Sequence, residues 1–356
     1  SDLKNWIRPE IQALSAYHVP APGAWIKLDA MENPYPWPQD LQQQWLQSLP
    51  EVELNRYPDP AARELSTVLQ KVMDVPAGYE IVLGNGSDEL IQLLMMTVAE
   101  PGRTILAPEP TFVMYEMIAK FVGMEFIGVP LDQNFELDLG AMVTAIEQHQ
   151  PAVIFLAYPN NPTGNLFDRA AIEKILEVAE GFVVVDEAYH VFAEESFMGE
   201  LPHYENLLVM RTVSKMGLAG LRLGLMAGDP RWIGEINKVR LPYNINVLTQ
   251  HAATFILHHA DVLEAQAAIL RAEREQLLQA LNQLDSVVQV YPSRANFILI
   301  KMQSGEADRL FEALKQSGVL VKNLSPAGGA LRDCLRITVS SPQENRQFLD
   351  TLIAQQ

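Results

Sequence analysis

The stretch Phe182-Val-Val-Val-Asp-Glu-Ala-Tyr189 consists of four apolar residues that lead directly into two carboxylates. An apolar run without alternation predicts a strand that other layers cover on both faces. The carboxylate of Asp186 would then lie at the end of a buried strand, where a charge needs a cation. A metal ion is one alternative for the Asp186-Glu187 pair, but no His or Cys ligands stand at suitable spacing. His190 is predicted to be alone at the surface, and we expect no metal site.

Six further apolar runs of strand length flank this stretch and alternate with longer amphipathic segments. The alternation is typical of parallel strands joined by right-handed crossover helices. The predicted strands are residues 81–83, 104–107, 124–129, 152–157, 182–185, 207–211 and 223–227. Together they predict an α/β fold with one large, mostly parallel sheet.

After about residue 240 the pattern changes to long helices, predicted at 247–258 and 261–284, and then to a smaller α+β unit. The strands of this unit are predicted at 287–291, 296–302, 319–321 and 334–338, and its helices at 306–316 and 342–354. Near the start, Pro20, Pro22, Pro34, Pro36 and Pro38 exclude regular helix and central strand and predict an arm that crosses between units. We expect residues 1–45 to form this arm and part of the small domain, residues 46–245 the large domain, and residues 246–356 the small domain.

The composition limits the class of protein. The 356 residues, 48% hydrophobic and 20% charged, suit a soluble globular enzyme. A net charge of -18 argues against nucleic acid, which is bound by clusters of lysine and arginine. No apolar run approaches the roughly 18 residues of a membrane span, and Ser1-Asp-Leu-Lys-Asn-Trp6 has no apolar signal core. The single cysteine, Cys334, excludes an internal disulfide, so we expect a cytoplasmic protein.

Two polar motifs follow predicted strands at the edge where ligands of such sheets gather. Gly84-Asn-Gly-Ser-Asp88 begins an apolar-periodic helix, whose free backbone N–H groups and dipole suit a phosphate. Ser87 as a plain N-cap is the alternative. Tyr158-Pro-Asn-Asn-Pro-Thr-Gly164 is rich in turn formers and allows a cis Asn161–Pro162 bond, with a solvent-exposed turn as the alternative.

Lys215 lies in Arg211-Thr-Val-Ser-Lys-Met-Gly-Leu-Ala-Gly-Leu-Arg-Leu-Gly224, directly after another predicted strand. Burial in this apolar, glycine-punctuated segment would lower the pKa of the lysine and leave the neutral amine that condenses with an aldehyde. A solvated lysine on a loop is the alternative when the segment is taken alone. The neighbouring groups that suit a phosphate are Thr212, Ser214 and Arg222.

Three motifs in this order resemble the signature of the fold-type I pyridoxal-phosphate aminotransferases: Asn161-Pro-Thr-Gly164, Asp186-Glu-Ala-Tyr189, and Ser214-Lys215 followed by Gly217-Leu-Ala-Gly-Leu-Arg222. The resemblance implies the α/β fold of that family, with a seven-stranded sheet in the large domain, and pyridoxal 5′-phosphate as cofactor. Further segments resemble the members that act on histidinol phosphate, with glutamate and 2-oxoglutarate as the other substrates. These segments are Leu28-Asp-Ala-Met-Glu-Asn-Pro-Tyr35, Asn55-Arg-Tyr-Pro58, Ala295-Asn-Phe-Ile-Leu299 and Cys334-Leu-Arg-Ile-Thr-Val339. The match covers nearly the whole chain.

The resemblance implies a role for each matching residue. Lys215 would hold the cofactor as a Schiff base and later move the proton between the substrate Cα and the cofactor C4′. Asp186 would pair with the pyridinium nitrogen, while Asn161 and Tyr189 would hold the 3′-oxygen. The expected phosphate contacts are Ser87, Asp88, Thr212, Ser214 and Arg222. Phe112 would stack on the ring, or simply fill the core. Tyr57 would reach the phosphate from the partner subunit of a homodimer, although by itself it suggests a turn.

Arg336 would fork onto the substrate anion, because a bidentate guanidinium suits both a carboxylate and a phosphate. Tyr17 and Lys322 lie where the family also contacts the substrate phosphate, with a surface lysine as the alternative for Lys322. Met31 departs from the family pattern, since relatives often have asparagine there.

Three alternative activities remain open. Within the fold they are an aromatic amino-acid aminotransferase and a threonine-phosphate decarboxylase. A nucleotide-binding oxidoreductase would be of another class, but Gly84-Asn-Gly-Ser-Asp-Glu89 lacks the third glycine of the dinucleotide-binding turn.

Overall fold

The computed structural model describes residues 2–21 and 23–355, so Pro22 of the predicted arm lies outside the described residues. The strands are β1 (Ile26–Leu28), β2 (Glu80–Gly84), β3 (Thr104–Glu109), β4 (Glu125–Pro130), β5 (Val153–Ala157), β6 (Phe182–Asp186), β7 (Leu207–Thr212), β8 (Gly224–Gly228), β9 (Val287–Val290), β10 (Phe297–Met302), β11 (Val319–Asn323) and β12 (Cys334–Thr338).

The α-helices are α1 (Pro9–Gln12), α2 (Gln39–Ser48), α3 (Arg63–Val72), α4 (Gly86–Val98), α5 (Met114–Val122), α6 (Leu139–His149), α7 (Arg169–Val178), α8 (His190–Ala193), α9 (Pro230–Asn237), α10 (Val247–Leu257), α11 (Ala260–Leu281), α12 (Glu306–Gln316) and α13 (Pro342–Ile353). Short 3-10 helices lie at Leu3–Trp6, Leu49–Glu51, Met198–His203, Ser214–Met216, Ala219–Leu221, Ser325–Ala327 and Gly329–Leu331. Within residues 2–21 and 23–355, no helix has both the length and the apolarity that a bilayer crossing requires.

The seven strands predicted for the large sheet do form one sheet, in the order β2-β8-β7-β6-β5-β3-β4. The prediction of a mostly parallel sheet is confirmed, with one strand reversed: β8 is antiparallel to both of its neighbours. The reversal follows from the short connection between β7 and β8, because a parallel return would need a crossover helix. As a result, the residues just before β8 lie at the same edge as the ends of the parallel strands.

The central strands of this sheet are covered on both faces. Every residue of β5 and β7 is buried. Because side chains alternate along a strand, Ile154 and Val185 pack into one apolar core and Phe155 and Val184 into the other. The uninterrupted apolar runs of the sequence therefore have a structural reason.

The smaller sheet has the order β1-β11-β12-β10-β9. Its four C-terminal strands lie within about two residues of their predicted bounds. The strand β1 was not predicted, and it pairs in parallel with β11, burying Leu28 in the core of the small sheet. The N-terminal segment is thus partly a strand of this sheet and not only an arm.

The proline-rich segment that follows β1 has no regular secondary structure, as predicted. Pro34, Pro36 and Pro38 lie outside helices and strands, and α2 begins directly after Pro38. Hydrogen bonds hold the segment to the small sheet: the backbone N–H of Met31 donates to Oγ1 of Thr338 at 3.0 Å. The segment is therefore tied to the end of β12.

Candidate active site

A cavity of about 460 Å³ lies at the edge of the large sheet where β2, β5, β6 and β7 end. Ten of the predicted site residues line it: Ser87, Asp88, Phe112, Asn161, Asp186, Tyr189, Thr212, Ser214, Lys215 and Arg222. Arg222 reaches this edge because β8 is reversed. Ala30, Met31 and Glu32 of the segment after β1 close another side of the cavity. The strand-end motifs therefore converge on one site.

Four predicted residues are not among the described residues that line the cavity. Arg336 is buried in β12 and contacts Asn161, and Lys322 pairs directly with Arg336 across β11 and β12. Residues opposite each other in such a pair point to the same face of the sheet. Tyr17 is exposed, and its hydroxyl lies within electrostatic reach of Arg336. Tyr57 is 80% exposed and stacks on Tyr243 with ring centroids 4.4 Å apart.

Lys215 lies in the 3-10 helix that follows β7, and its side chain is half-buried at the cavity wall. Its Nζ donates a hydrogen bond to the backbone oxygen of Ala30 at 2.9 Å. Burial lowers the pKa of Lys215 to about 8, and the positive charge of Arg336 acts in the same direction. Near neutral pH a useful fraction of this amine is therefore uncharged and nucleophilic.

Asp186 is the last residue of β6, and its carboxylate is buried at the cavity wall. Oδ2 accepts a hydrogen bond from the hydroxyl of Tyr115 at 2.5 Å, and Oδ1 accepts one from the backbone N–H of Ala188 at 3.2 Å. Burial raises the pKa of Asp186 to about 6, against the opposing effect of the Tyr115 hydrogen bond. Among the described residues no cationic side chain forms an ion pair with it. A buried carboxylate without a cation fits a protonated ring nitrogen.

The start of α4 forms a cradle together with Arg222. Gly86 has φ +78°, and a Cβ atom there would lie 2.8 Å from Nη2 of Arg222, so the missing side chain makes room for the guanidinium. Nη2 lies 4.0 Å from Oδ2 of Asp88. The helix begins after Asn85, so the alternative of Ser87 as N-cap is wrong. Backbone N–H groups of a first helical turn beside a guanidinium fit a phosphate group.

Two hydroxyls lie at the same edge. Oγ1 of Thr212 is 2.8 Å from Oγ of Ser214, and both side chains are buried. Hydroxyl groups can donate to phosphate oxygens without adding charge. The groups at the cavity therefore fit pyridoxal phosphate: the carboxylate of Asp186 can accept from its protonated ring nitrogen, and the donors near α4 suit its phosphate.

Arg336 makes two hydrogen bonds to the protein and has one donor that none of the described residues uses. Nη1 donates to Oδ1 of Asn161 at 2.6 Å and Nη2 to the backbone oxygen of Asp29 at 2.9 Å. Nε is buried without a hydrogen-bond partner among the described residues. Burial lowers the pKa of Arg336 from its usual value, but a guanidinium stays charged in proteins. An unpaired buried donor is rare, and the guanidinium has the charge that suits an anion.

Tyr189 packs between the cavity and the small sheet, with its ring edge-on to Phe297 at 5.0 Å. Burial raises the pKa of its phenol, so the hydroxyl is neutral and can donate a hydrogen bond. Asn161 precedes a cis peptide bond to Pro162, as the sequence allowed.

The sequence did not indicate the role of Tyr115 or of Glu187. Tyr115 stands in an apolar helix, where a hydroxyl needs a partner, and this was the available signal. Glu187 is fully buried, and its Oε1 accepts from Nε of Arg211 at 3.0 Å. His190 was predicted to be at the surface, but its side chain is half-buried. Its Nδ1 lies 3.2 Å from the backbone oxygen of Glu187, which holds the ring against the chain.

A family model described as aminotransferase class I and II matches residues 24–352. The fold agrees with that match, as do Lys215 at the cavity wall and the buried carboxylate of Asp186, which has no cationic partner among the described residues. The chain belongs to the class I and II aminotransferase family and is a pyridoxal-phosphate-dependent enzyme.

Individual relatives of this chain belong to a narrower group than the family model describes. Histidinol-phosphate aminotransferase 2 of Nitrosococcus oceani is 55% identical over 99% of this chain and 98% of its own length. Histidinol-phosphate aminotransferase 1 of Ralstonia nicotianae is 54% identical over 99% of this chain and 95% of its own length. The chain therefore falls among the histidinol-phosphate aminotransferases within the larger family.

Solved structures agree on the fold. The structure of histidinol-phosphate aminotransferase from Sinorhizobium meliloti, in complex with pyridoxal-5′-phosphate, has a TM-score of 0.84 at 20% identity and covers 98% of both chains. L-threonine-O-3-phosphate decarboxylase from Porphyromonas gingivalis has a TM-score of 0.78 at 24% identity and covers 92% of this chain and 98% of its own. The same fold thus carries both activities.

Proposed function

We propose that this enzyme transfers the amino group of histidinol phosphate to 2-oxoglutarate, giving imidazole-acetol phosphate and glutamate, as a reversible step of histidine biosynthesis. Two relatives with that name share more than half of their residues with this chain. A cytoplasmic location is part of the proposal, because the one cysteine, Cys334, is free and buried.

The observation that carries the choice of substrates is the state of Arg336. Histidinol phosphate brings a phosphate and no carboxylate, whereas 2-oxoglutarate and glutamate bring carboxylates. A guanidinium can fork onto either anion, and the Nε of Arg336 is buried without a partner in the described structure. One arginine can therefore serve both half-reactions.

Lys322 and Tyr17 are proposed as further contacts of the substrate phosphate. Lys322 stands opposite Arg336 in the pairing of β11 and β12, so its amine can add a second positive charge on the same face. Tyr17 is exposed and can supply a hydroxyl from the N-terminal segment. A phosphate dianion gains more from a second cation than a carboxylate does.

When bound, pyridoxal phosphate supplies an aldehyde that condenses with amines and a cationic ring that withdraws electrons. Lys215 is the amine that we expect to hold it, and the same Nζ would take the proton from the substrate Cα and return it. Asp186 would accept a hydrogen bond from the protonated ring nitrogen and so stabilise its positive charge. Asn161 and Tyr189 both line the cavity, and each can donate to the 3′-oxygen.

The cofactor phosphate is proposed to bind at the start of α4. Its contacts would be the backbone N–H groups of Ser87 and Asp88, the hydroxyls of Ser87, Thr212 and Ser214, and the guanidinium of Arg222. Phe112 lines the cavity and can stack on the ring. Excluding water from this pocket strengthens each of these charge interactions.

We infer that the enzyme is a homodimer and that Tyr57 completes the phosphate site of the partner subunit. Tyr57 is 80% exposed although its ring is large and apolar, and it stacks on Tyr243, which is also exposed. Leu54 and Leu241, which precede these two tyrosines by three and two residues in sequence, are exposed as well. Such a patch suits burial against a second copy. The proposed domains fit this arrangement, with residues 46–245 carrying Lys215 and residues 246–356, joined by 1–45, carrying Arg336.

The proposal is tested by steady-state rates with histidinol phosphate, phenylalanine, tyrosine and threonine phosphate, each with 2-oxoglutarate. Histidinol phosphate should give the highest kcat/KM by at least about tenfold, a difference that one good charge interaction can supply. Faster turnover of phenylalanine or tyrosine would indicate an aromatic aminotransferase. Release of carbon dioxide from threonine phosphate would indicate a decarboxylase.

A further inference from the structure

Tyr115 is fixed in the core directly behind Asp186. Its side chain is fully buried on α5. The ring stacks on Phe155 with centroids 4.6 Å apart and 15° between the planes, and it meets Phe112 edge-on at 5.5 Å. Held on two sides by aromatic rings, the phenol has little freedom to turn.

The hydroxyl of Tyr115 donates to Oδ2 of Asp186 at 2.5 Å. This short distance is typical of a donor to an ionised oxygen. The backbone N–H of Ala188 donates to the other oxygen, Oδ1, at 3.2 Å. Two donors on two oxygens fix the plane of the carboxylate. Tyr115 is not among the described residues that line the cavity. Its ring contacts Phe112, which does line it, whereas its hydroxyl reaches bound molecules through Asp186.

The surroundings of Asp186 otherwise favour its protonated form. Burial is the largest effect, and the carboxylates of Asp88 and Glu187 add to it. The Tyr115 hydrogen bond is the main opposing effect and lowers the pKa of Asp186. Tyr189 also faces this carboxylate, but its own raised pKa keeps it neutral. Without the Tyr115 hydroxyl, the carboxylate of Asp186 would be protonated more readily. A protonated carboxyl group donates a hydrogen bond, whereas a protonated ring nitrogen needs an acceptor.

We propose that Tyr115 is a positioning residue of this aminotransferase, whose hydroxyl fixes the orientation of Asp186 and keeps it an acceptor for the ring nitrogen of the cofactor. The inference rests on the proposed role of Asp186. It assigns to Tyr115 a function that packing alone would not require, because phenylalanine would fill the same volume.

The test is the Tyr115→Phe variant, which keeps the ring and removes the hydroxyl. The apoprotein is titrated with pyridoxal phosphate, and the visible absorbance of the holoenzyme is followed against pH. Loss of a hydrogen bond to a buried charge should weaken cofactor binding by about tenfold or more and shift the pH at which the absorbance titrates. Tyr291→Phe is the matched control, because Tyr291 is also a buried tyrosine but packs on Phe135 away from the cavity. It should change neither quantity.

A double-mutant cycle separates the two proposals. Asp186→Asn should weaken cofactor binding, and adding Tyr115→Phe should then have no further effect, because the hydroxyl acts through the carboxylate. Equal losses from Tyr115→Phe in both backgrounds would overturn the role of Tyr115 while leaving that of Asp186 intact. No effect of Asp186→Asn would overturn the role of Asp186 and, with it, this inference.

A second measurement needs no change at Tyr115. In the wild-type apoprotein, the ultraviolet resonance Raman doublet of tyrosine should include one strongly donating hydroxyl. Asp186→Asn should remove that contribution, because an amide oxygen is a weaker acceptor than a carboxylate. Identical tyrosine spectra would contradict the proposal.

Discussion

Nζ of Lys215 donates a hydrogen bond to the backbone oxygen of Ala30 at 2.9 Å, across 185 residues of sequence. The neighbouring carbonyl oxygen of Asp29 accepts from Nη2 of Arg336 at 2.9 Å. Consecutive residues directly after β1 therefore hold the amine of the large sheet and the guanidinium of the small sheet. This segment sets the relative positions of the two groups on which the proposed reaction depends.

The reaction of apoprotein with pyridoxal phosphate should depend on the charge of Lys215. Its pKa is lowered to about 8, so the fraction of uncharged amine rises with pH up to that value. About one pH unit higher, nearly all of the amine is uncharged. The capture rate, followed by absorbance, should increase about tenfold per pH unit at lower pH and level off above pH 8. Nα-acetyl-lysine, the control, has the ε-amine as its only amine, so its rate should keep rising to about pH 10. A rate for the protein that continues to rise in the same way would contradict the lowered pKa.

Gly86→Ala should weaken cofactor binding through Arg222. The new Cβ would lie 2.8 Å from Nη2, so the guanidinium must move off the start of α4. Loss of a charge-assisted contact to the phosphate corresponds to about tenfold to hundredfold in the dissociation constant.

Gly102→Ala is the matched control for that substitution. Gly102 has φ +83°, close to +78° at Gly86, but no atom stands within 4 Å of its Cβ position. Both variants should lose about 1–2 kcal/mol in urea unfolding from the left-handed backbone. Only Gly86→Ala should bind the cofactor less tightly, and equal affinities would remove the proposed role of Arg222.

Arg336→Lys should raise KM for both substrates, because lysine keeps the charge but cannot fork onto an anion. We expect an increase of about tenfold to hundredfold for histidinol phosphate and for 2-oxoglutarate alike. Arg332→Lys, at an exposed position of the same region, should leave both values unchanged. An increase for one substrate only would show that a different group binds the other anion.

Tyr57 should act across the subunit interface. Tyr57→Ala and Lys215→Ala dimers are prepared separately, assayed at low cofactor concentration and then mixed to exchange subunits. Each mixed dimer has one site with both native residues, so about a quarter of all sites should recover activity. Absence of recovery, with subunit exchange shown by mass spectrometry, would mean that Tyr57 serves its own subunit or none.

The strands of the large sheet were predictable because short apolar runs between amphipathic helical segments are typical of buried parallel strands. Other elements were missed because their stability comes from contacts outside the local pattern. The strand β1 has only three residues, and it is a strand because β11 offers it a free edge. The helices α2 and α3 were likewise missed, as was the reversed direction of β8, which depends on the course of the lysine loop.

The cavity residues were predictable to the extent that each follows a strand. Contacts between distant segments were not: Tyr115 lies 71 residues before Asp186, and Arg336 lies 175 residues after Asn161. No local pattern records which side chain a buried tyrosine will meet. The role of Tyr57 stays a prediction, because the phosphate site that it would contact belongs to a second copy of the chain.

The most direct test of the account is to reduce the holoenzyme with borohydride, digest it and map the added mass of the cofactor by mass spectrometry. The account predicts that the peptide containing Lys215 carries this mass and that no other lysine does. Attachment at a different lysine, or at none, would contradict it.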